Sequence, residues 1–154
     1  MFREMRKKER EVFDEELSFI IENGEYGHLA TINEDEYPYI VPISYVYYNN
    51  FIYFHCAKEG QKLDNILRNN KVSFSVVSST EVIPKQFSTK YKSVIAFGEA
   101  LEIFGEEKEE VLFKLIEKYS FDYLEQGKKY ISAAKDKTVV IKIDIKHITG
   151  KVRK

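Results

Sequence analysis

The sequence contains no tryptophan, one cysteine, three prolines and a formal net charge of only −1. The single cysteine, Cys56, excludes an intramolecular disulfide and is typical of a protein from a reducing compartment such as the cytoplasm. The 24 basic and 25 acidic side chains nearly cancel, so no net field draws the chain toward nucleic acid or an anionic membrane. No apolar run approaches the roughly 18 residues of a membrane span, and no export signal is visible. We therefore expect a cytoplasmic protein with neither a nucleic-acid nor a membrane partner.

Two common classes of ligand site are also missing. Three scattered histidines and one cysteine have no metal-ligand spacing, so no metal site is expected. The seven glycines form neither a dinucleotide-binding fingerprint nor a phosphate-binding loop of the Walker type. A nucleotide-like ligand would therefore have to be held in another way.

The chain is instead rich in aromatic residues that favour β-structure, with eleven Tyr and eleven Phe among 154 residues. This length supports one hydrophobic core. We expect a charged N-terminal arm over residues 1–12 and a single domain over residues 13–150. About six strands, with helices at about 14–23, 60–69 and 106–119, predict a mainly β protein built on a six-stranded antiparallel barrel with peripheral helices.

Two hairpins are expected in the first half of the chain. His28–Ile32 should pair with a long strand from about Tyr39 to Tyr48. Asn49-Asn50 can supply both positive-φ residues of a tight turn, after which Phe51–His55 returns. Both alternating sets of the long strand are apolar, which predicts that the strand is covered on both faces. Pro42 lacks a backbone donor and should lie at an edge or a bulge.

Further positions carry local predictions. Asp14 can cap the first helix and Gly24 can end it in a left-handed conformation. Gly98 lies in the middle of a long strand and indicates a bend or bulge. The stretch from about Ser120 to Asp136 is expected to be helical in part.

The most informative segment is 55–62, HCAKEGQK, which joins an aromatic strand to a helix. A helix start offers free N–H groups and partial positive charge, so Lys62 nearby indicates a phosphate site. Other interpretations remain open: Lys62 as a solvated charge, and His55 as an ordinary surface or core residue. Cys56 follows His55, so its side chain alternates to the face opposite that of His55 and is expected to be a small buried hydrophobe.

Four blocks in this order resemble the flavin-binding split-barrel superfamily, and within it the pyridoxamine-phosphate-oxidase-like proteins of the nitroimidazole-resistance type. The resemblance extends over most of residues 14–146. The blocks are 25–31 (EYGHLAT), 37–47 (YPYIVPISYVY), 52–55 (IYFH) through 63–66 (LDNI), and 87–95 (FSTKYKSVI).

This resemblance implies a split-barrel homodimer that binds FMN in two clefts at the subunit interface. It further implies an oxidoreductase in which a small substrate, with a nitroaromatic as one option, meets the flavin near His55 as the catalytic residue. A flavin-binding module without turnover, or the same barrel holding haem or a deazaflavin, is the alternative. The implied cofactor contacts are Pro42, Ile43 and Ser44 along the ring, His55, Cys56 and Ala57 beside the ring or ribityl chain, Gln61 and Lys62 at the phosphate, and Tyr91 and Ser93 closing the cleft from the neighbouring subunit.

Overall fold

An antiparallel sheet of eight strands forms the body of the protein in the computed structural model, which describes residues 1–154. Three of the four α-helices pack against the sheet and the last packs mainly on the third; short 3₁₀ turns lie at Lys8–Arg10, Pro84–Gln86, Phe121–Tyr123 and Lys135–Lys137. The strands are β1 (Glu11–Val12), β2 (Gly27–Ile32), β3 (Pro38–Ile43), β4 (Val46–Tyr48), β5 (Phe51–Ala57), β6 (Lys71–Ile83), β7 (Ser88–Ile103) and β8 (Thr138–Arg153). The helices are α1 (Asp14–Glu22), α2 (Gln61–Arg68), α3 (Gly105–Tyr119) and α4 (Leu124–Ala134).

The strand order makes the sheet an open barrel. The order is β3-β2-β6-β7-β8-β5-β4, with β1 added beside β8. The two edge strands, β3 and β4, are consecutive in the chain and are separated only by Ser44 and Tyr45. Three residue steps span at most about 11 Å, so the sheet must curl until its edges approach at this link. No ladder joins them, and the expected barrel architecture is confirmed in its split form.

The strand count differs from the expected six for two reasons. The strand predicted from Tyr39 to Tyr48 is wrong as a single element, because its halves pair with β2 and β5 at opposite edges and the chain must break at Ser44–Tyr45. A short strand also forms in the N-terminal arm, where Glu11 and Val12 pair with Lys151 and Gly150.

Two hydrophobic clusters stabilise the fold. The larger cluster, of 19 buried residues, fills the inside of the curled sheet and includes Ile20 and Ile21 of α1 and Ile66 of α2. The smaller cluster, of seven residues, lies on the outside, where Val111, Leu112 and Leu115 of α3 cover β4, β5 and β8. No helix in the structure is both long and apolar enough to cross a membrane.

The predicted helices are confirmed to within a residue or two at each end, and α4 accounts for the partly helical stretch after Ser120. Their caps differ. Asp14 makes no capping hydrogen bond, because Phe13 occupies the N-cap position. Gly24 does not adopt a positive φ. It is needed because a Cβ would collide with Val76 and with the Tyr45 hydroxyl.

The strands confirm the predicted turn, the irregularity at Gly98 and the edge position of Pro42, but not the predicted burial. Asn49 and Asn50 have φ values of 51° and 66°, as expected for their turn. A register shift lies at Gly98, and Pro42 lies in the edge strand β3. The expectation that this strand is covered on both faces is wrong for the single chain, because every residue of β3 is half-buried or exposed and Ile40 is 62% exposed.

Candidate functional site

The opening in the barrel, here called the split, lies between β3 and the Phe54–Ala57 part of β5. One edge of β5 pairs with β8 over Ile52–Ala57, but the other pairs with β4 only over Phe51–Tyr53. From Phe54 onward this edge has no partner strand, and the outer edge of β3 also has none. The split therefore presents two free strand edges, which diverge from the Ser44–Tyr45 link and can hydrogen-bond a ligand through their main chains.

Helix α2 begins at the wide end of the split, directly after β5. Its first α-helical hydrogen bond runs from the Asp64 N–H to the Gly60 carbonyl, at 3.1 Å. The N–H groups of Gln61, Lys62 and Leu63 precede this bond and have no helical partner, and Gly60 provides no side-chain cap. Leu63 and Ile66 pack on the barrel core and hold the helix in place. This arrangement is suited to binding an anion.

A buried hydrogen-bond network fixes α2 to the end of β2. Asn65 is 3% exposed, and its Nδ2 donates to Thr31 Oγ1 and to Asn33 Oδ1, both at 2.9 Å. Gln61 Nε2 donates to the same Asn33 oxygen at 2.9 Å. The Gln61 side chain is thus tied to Asn33 by one of its two amide N–H donors, and its backbone N–H has no helical partner. Sequence reasoning missed Asn65, although an amide within the apolar stripe of α2 was a readable signal.

The two sides of the α2 start differ in charge. An open polar cleft of about 650 Å³ lies on the Gln61 side, and its lining includes the three carboxylates of Glu34, Asp35 and Asp64 against the one guanidinium of Arg68. These groups disfavour an anion there. Lys62, by contrast, belongs to no ion pair of the chain and lies near Cys56, where its charge acts on the thiol. An anion is therefore favoured on the Lys62 side, next to β5.

Cys56 and His55 project from β5 in opposite directions, as the sequence predicted. The Cys56 side chain belongs to the barrel core and is 9% exposed. Burial raises the pKa of the thiol, Lys62 opposes this shift and Glu102 adds to it. Cys56 is therefore a protonated thiol that can present only its backbone to a ligand in the split.

His55 is exposed on the outer face and borders a small cavity of about 50 Å³ between β5 and the helices α3 and α4. The lining is mainly apolar and includes Leu112, Ile116 and Tyr130. Burial of the inner side of the ring lowers the pKa of His55 below its ordinary value of 6.5. The imidazole is consequently neutral at pH 7, with one nitrogen able to donate and the other able to accept a hydrogen bond.

The remaining predicted residues divide into two groups. Pro42, Ile43 and Ser44 lie at the narrow end of the split, with Pro42 and Ser44 exposed. Tyr91 and Ser93 lie on β7, at different distances from the two ends of the split. The register places Val94, the neighbour of Ser93, in one row with Ile43, three strand spacings or about 14 Å across the sheet. The wide end is farther away, because Ser93 pairs with Lys151 whereas Ala57 pairs with Thr138, thirteen residues or about 43 Å earlier on β8.

Tyr91 has a basic environment of its own at the far end of β8. The Arg10 guanidinium is 3.5 Å from the Tyr91 hydroxyl, and the Lys151 ammonium is 5.6 Å from the ring centroid. Burial opposes ionisation of the phenol, but Lys151 and Arg10 together outweigh it, so the pKa of Tyr91 is lowered. Neither Tyr91 nor Ser93 borders the split of its own chain, because β6 and β2 separate β7 from β3, and β8 separates it from β5.

Comparison with known proteins identifies the family. The family model described as pyridoxamine 5'-phosphate oxidase matches residues 14–152. An uncharacterised protein of Rhizobium meliloti is 32% identical over 89 residues, which are 58% of this chain and 54% of that protein, so the alignment spans about half of the relative's length.

Two solved structures share the fold. A candidate 5-nitroimidazole antibiotic resistance protein from Bacteroides thetaiotaomicron is similar with a TM-score of 0.78 and 25% identity, covering 92% of this chain and 86% of that one. An FAD- and haem-binding protein from Mycobacterium smegmatis is similar with a TM-score of 0.78 and 15% identity, covering 94% and 74% respectively. The family match spans nearly the whole chain, and the protein belongs to the pyridoxamine 5'-phosphate oxidase family.

Proposed function

We propose that the protein is an FMN-dependent oxidoreductase that acts on a small acceptor as a homodimer in the cytoplasm. The observation that carries this proposal is the start of α2, where three N–H groups without helical partners lie beside the unpaired Lys62 at one end of the split. A phosphate monoester fits this seat in charge and in hydrogen-bonding capacity. FMN combines such a phosphate with a planar heterocycle.

The rest of the split suits the heterocycle. Its walls are the free edges of β3 and of Phe54–Ala57, which offer N–H and C=O groups to the polar rim of a flat ring. The similarity to an FAD- and haem-binding protein supports a ligand of this general shape. The phosphate seat favours FMN over haem, because haem carries carboxylates and no phosphate.

When bound, the flavin supplies the electron-transfer chemistry. The chain itself binds and orients. Lys62 and the α2 N–H groups hold the phosphate, and the main chain of Pro42 to Ser44 holds the ring. His55 is neutral and exposed, and donates a hydrogen bond that orients the reducible group of the acceptor. The resemblance to a candidate nitroimidazole resistance protein makes a nitroaromatic the first acceptor to test.

The homodimer is supported by the outer face of the sheet. Ile40, Val77, Ile95 and Phe97 are all exposed there, at 62%, 51%, 46% and 37%. The pairing register aligns Ile40, Ala30, Ser73 and Phe97 in one row across four strands. An apolar face of this extent is typical of an interface. The resemblance implies that the second copy contributes Tyr91 and Ser93 to the cleft.

The decisive experiment is an absorption spectrum of the purified protein, with the released ligand identified by mass. Flavin bands and the mass of FMN are expected, whereas haem or deazaflavin bands would show that the protein binds a different cofactor. Turnover is tested separately with a nicotinamide donor and a nitroimidazole. A rate no better than that of free FMN would remove the oxidoreductase assignment and leave a flavin-binding module.

A further inference from the structure

The link between the two sheet edges is held by the C-terminal end of α3. Tyr119 Oη accepts a hydrogen bond from the Tyr45 N–H at 3.0 Å. Lys118 Nζ donates to the Tyr45 carbonyl at 2.9 Å. Tyr45 lies between β3 and β4 and belongs to neither strand, yet both of its main-chain groups are satisfied, and both partners come from α3. These two side chains of α3 are here called the clamp.

The clamp is more than a generic contact between a helix and a loop. The Lys118 ammonium lies 3.7 Å from the centroid of the Tyr45 ring and 5.1 Å from that of Tyr119, and it forms no ion pair. Its charge is therefore met by one carbonyl and two aromatic faces instead of a carboxylate. A half-buried cation without a counter-ion leaves positive potential at the narrow end of the split.

Peptide geometry determines what the clamp does to Ser44. The Ser44–Tyr45 peptide is trans, so the Ser44 carbonyl points opposite to the Tyr45 N–H. Because that N–H is directed at Tyr119, the Ser44 carbonyl is directed away from it. Ser44 is also exposed. The clamp therefore sets the direction of an acceptor at the narrow end of the split.

The same helix also borders the His55 cavity. Leu112, Leu115 and Ile116 of α3 line this cavity, one to two turns before Lys118 and Tyr119. One rigid element thus defines the surroundings of His55 and the orientation of the Ser44–Tyr45 peptide.

We propose that Tyr119 and Lys118 are positioning residues of the proposed flavin site, and that they act through the Ser44–Tyr45 peptide. With the phosphate at α2, the ring would extend toward the narrow end. Only the pyrimidine part of the flavin ring carries N–H and C=O groups, so this part would face the Ser44 carbonyl. Reduction adds negative charge to the pyrimidine part, and the nearby Lys118 cation favours the reduced form. This inference rests on the proposed function.

The test compares FMN with riboflavin, which has the same ring and no phosphate. Dissociation constants are measured by flavin fluorescence for the wild type, Tyr119→Phe and Lys62→Ala. Tyr119→Phe is expected to weaken FMN and riboflavin alike, by about tenfold, because it removes the hydroxyl that accepts from the Tyr45 N–H and donates to the Glu25 carbonyl at 2.6 Å. Lys62→Ala is expected to weaken FMN alone. Tyr123→Phe removes an exposed phenol and should change neither affinity.

The charge is tested by the reduction potential of the bound flavin. Lys118→Met should lower the preference for reduced over oxidised flavin about tenfold, which for two electrons is about 30 mV. Lys118→Arg keeps the cation and should retain the wild-type potential, and Lys129→Met on exposed α4 is the matched control.

The outcomes separate the two proposals. A wild-type protein that binds neither flavin would overturn the proposed function and this inference with it. A wild-type protein that binds FMN, with clamp variants that lose thermal stability yet keep wild-type affinities and potential, would overturn the clamp's role alone. If Tyr119→Phe does not fold, the reduction potentials of flavin bound to Lys118→Met and Lys118→Arg test the clamp instead: equal potentials in these two variants would overturn its role.

Discussion

Asn65 and Thr31 are joined by a hydrogen bond of 2.9 Å in the interior, where both side chains are almost fully buried. The pair connects α2 to β2, and through Asn33 it also reaches Gln61 at the start of the helix. The position of the proposed phosphate seat relative to the sheet therefore depends on a residue that need not touch the phosphate.

Asn65→Ala should destabilise the protein and loosen the phosphate seat. The substitution leaves the Thr31 hydroxyl and the side-chain oxygen Oδ1 of Asn33 without this donor, which costs about 1–3 kcal/mol in the free energy of unfolding. We also expect weaker FMN binding, measured by titration under conditions where the variant is folded. Asn70→Ala, at an exposed side chain just beyond α2, should change neither quantity. Equal stability of Asn65→Ala and the wild type would contradict this role.

Cys56 should be unreactive in the folded protein. Its thiol is buried in the barrel core and its pKa is raised, so little thiolate is available at pH 8. Labelling with a disulfide reagent should be slow in buffer and fast in denaturant. Fast labelling of the native protein would show that the split is more open than the structure indicates.

His55 should titrate below its ordinary pKa of 6.5. Since the unfolded chain binds this proton more readily than the folded one, stability falls as pH decreases below 6.5. His55→Gln should remove that part of the acid sensitivity. The imidazole signals followed by NMR check the shift directly, and a midpoint at or above 6.5 would contradict it.

Lys118 should produce a dependence of the same sign on the alkaline side. Burial lowers its pKa from 10.5 to about 8. Between these values the unfolded chain holds a proton that the folded chain has lost, so stability rises with pH in this window. Tyr45, Tyr53 and Tyr119 have raised pKa values and reverse the trend above about pH 10. Denaturation experiments at a series of pH values from 7 to 9.5 should therefore show a free energy of unfolding that rises with pH for the wild type and changes less for Lys118→Met.

The outer face should govern assembly. Phe97→Glu inserts a charge at the end of the row that begins with Ile40, and should convert a dimer into monomers in sedimentation experiments. Glu102→Gln, at an exposed carboxylate near the end of β7, should leave the sedimentation coefficient unchanged. A wild-type protein that is monomeric and still holds one flavin would contradict the homodimer.

Local patterns predicted most of the fold. Helical spacing located α1, α2 and α3, and Asn49-Asn50 located a turn, because these signals depend on neighbouring residues. The break at Ser44–Tyr45 was invisible, since it arises from pairing with strands on opposite edges of the sheet. The bond from Tyr45 to Tyr119 spans 74 positions and leaves no local signature.

The candidate site was likewise predictable where its residues are close in sequence, and less so where they are distant. Eight predicted residues, from Pro42 to Ser44 and from His55 to Lys62, lie around the split because one continuous segment, from β3 through β4 and β5 to the start of α2, carries them all. Tyr91 and Ser93 lie on β7, where it pairs with the far end of β8 in the same chain. Whether they face a partner's split depends on an assembly that a single sequence does not encode in its local patterns.

The central claim is that a phosphate binds at the start of α2. It is tested most directly by the affinities of FMN and riboflavin for the wild type and for Lys62→Ala. The wild type should prefer FMN, and Lys62→Ala should lose about tenfold or more of the FMN affinity while retaining that for riboflavin, since a charge-assisted contact contributes about 1.5–3 kcal/mol. Equal affinities of the wild type for the two flavins, or an unchanged FMN affinity in Lys62→Ala, would contradict the account.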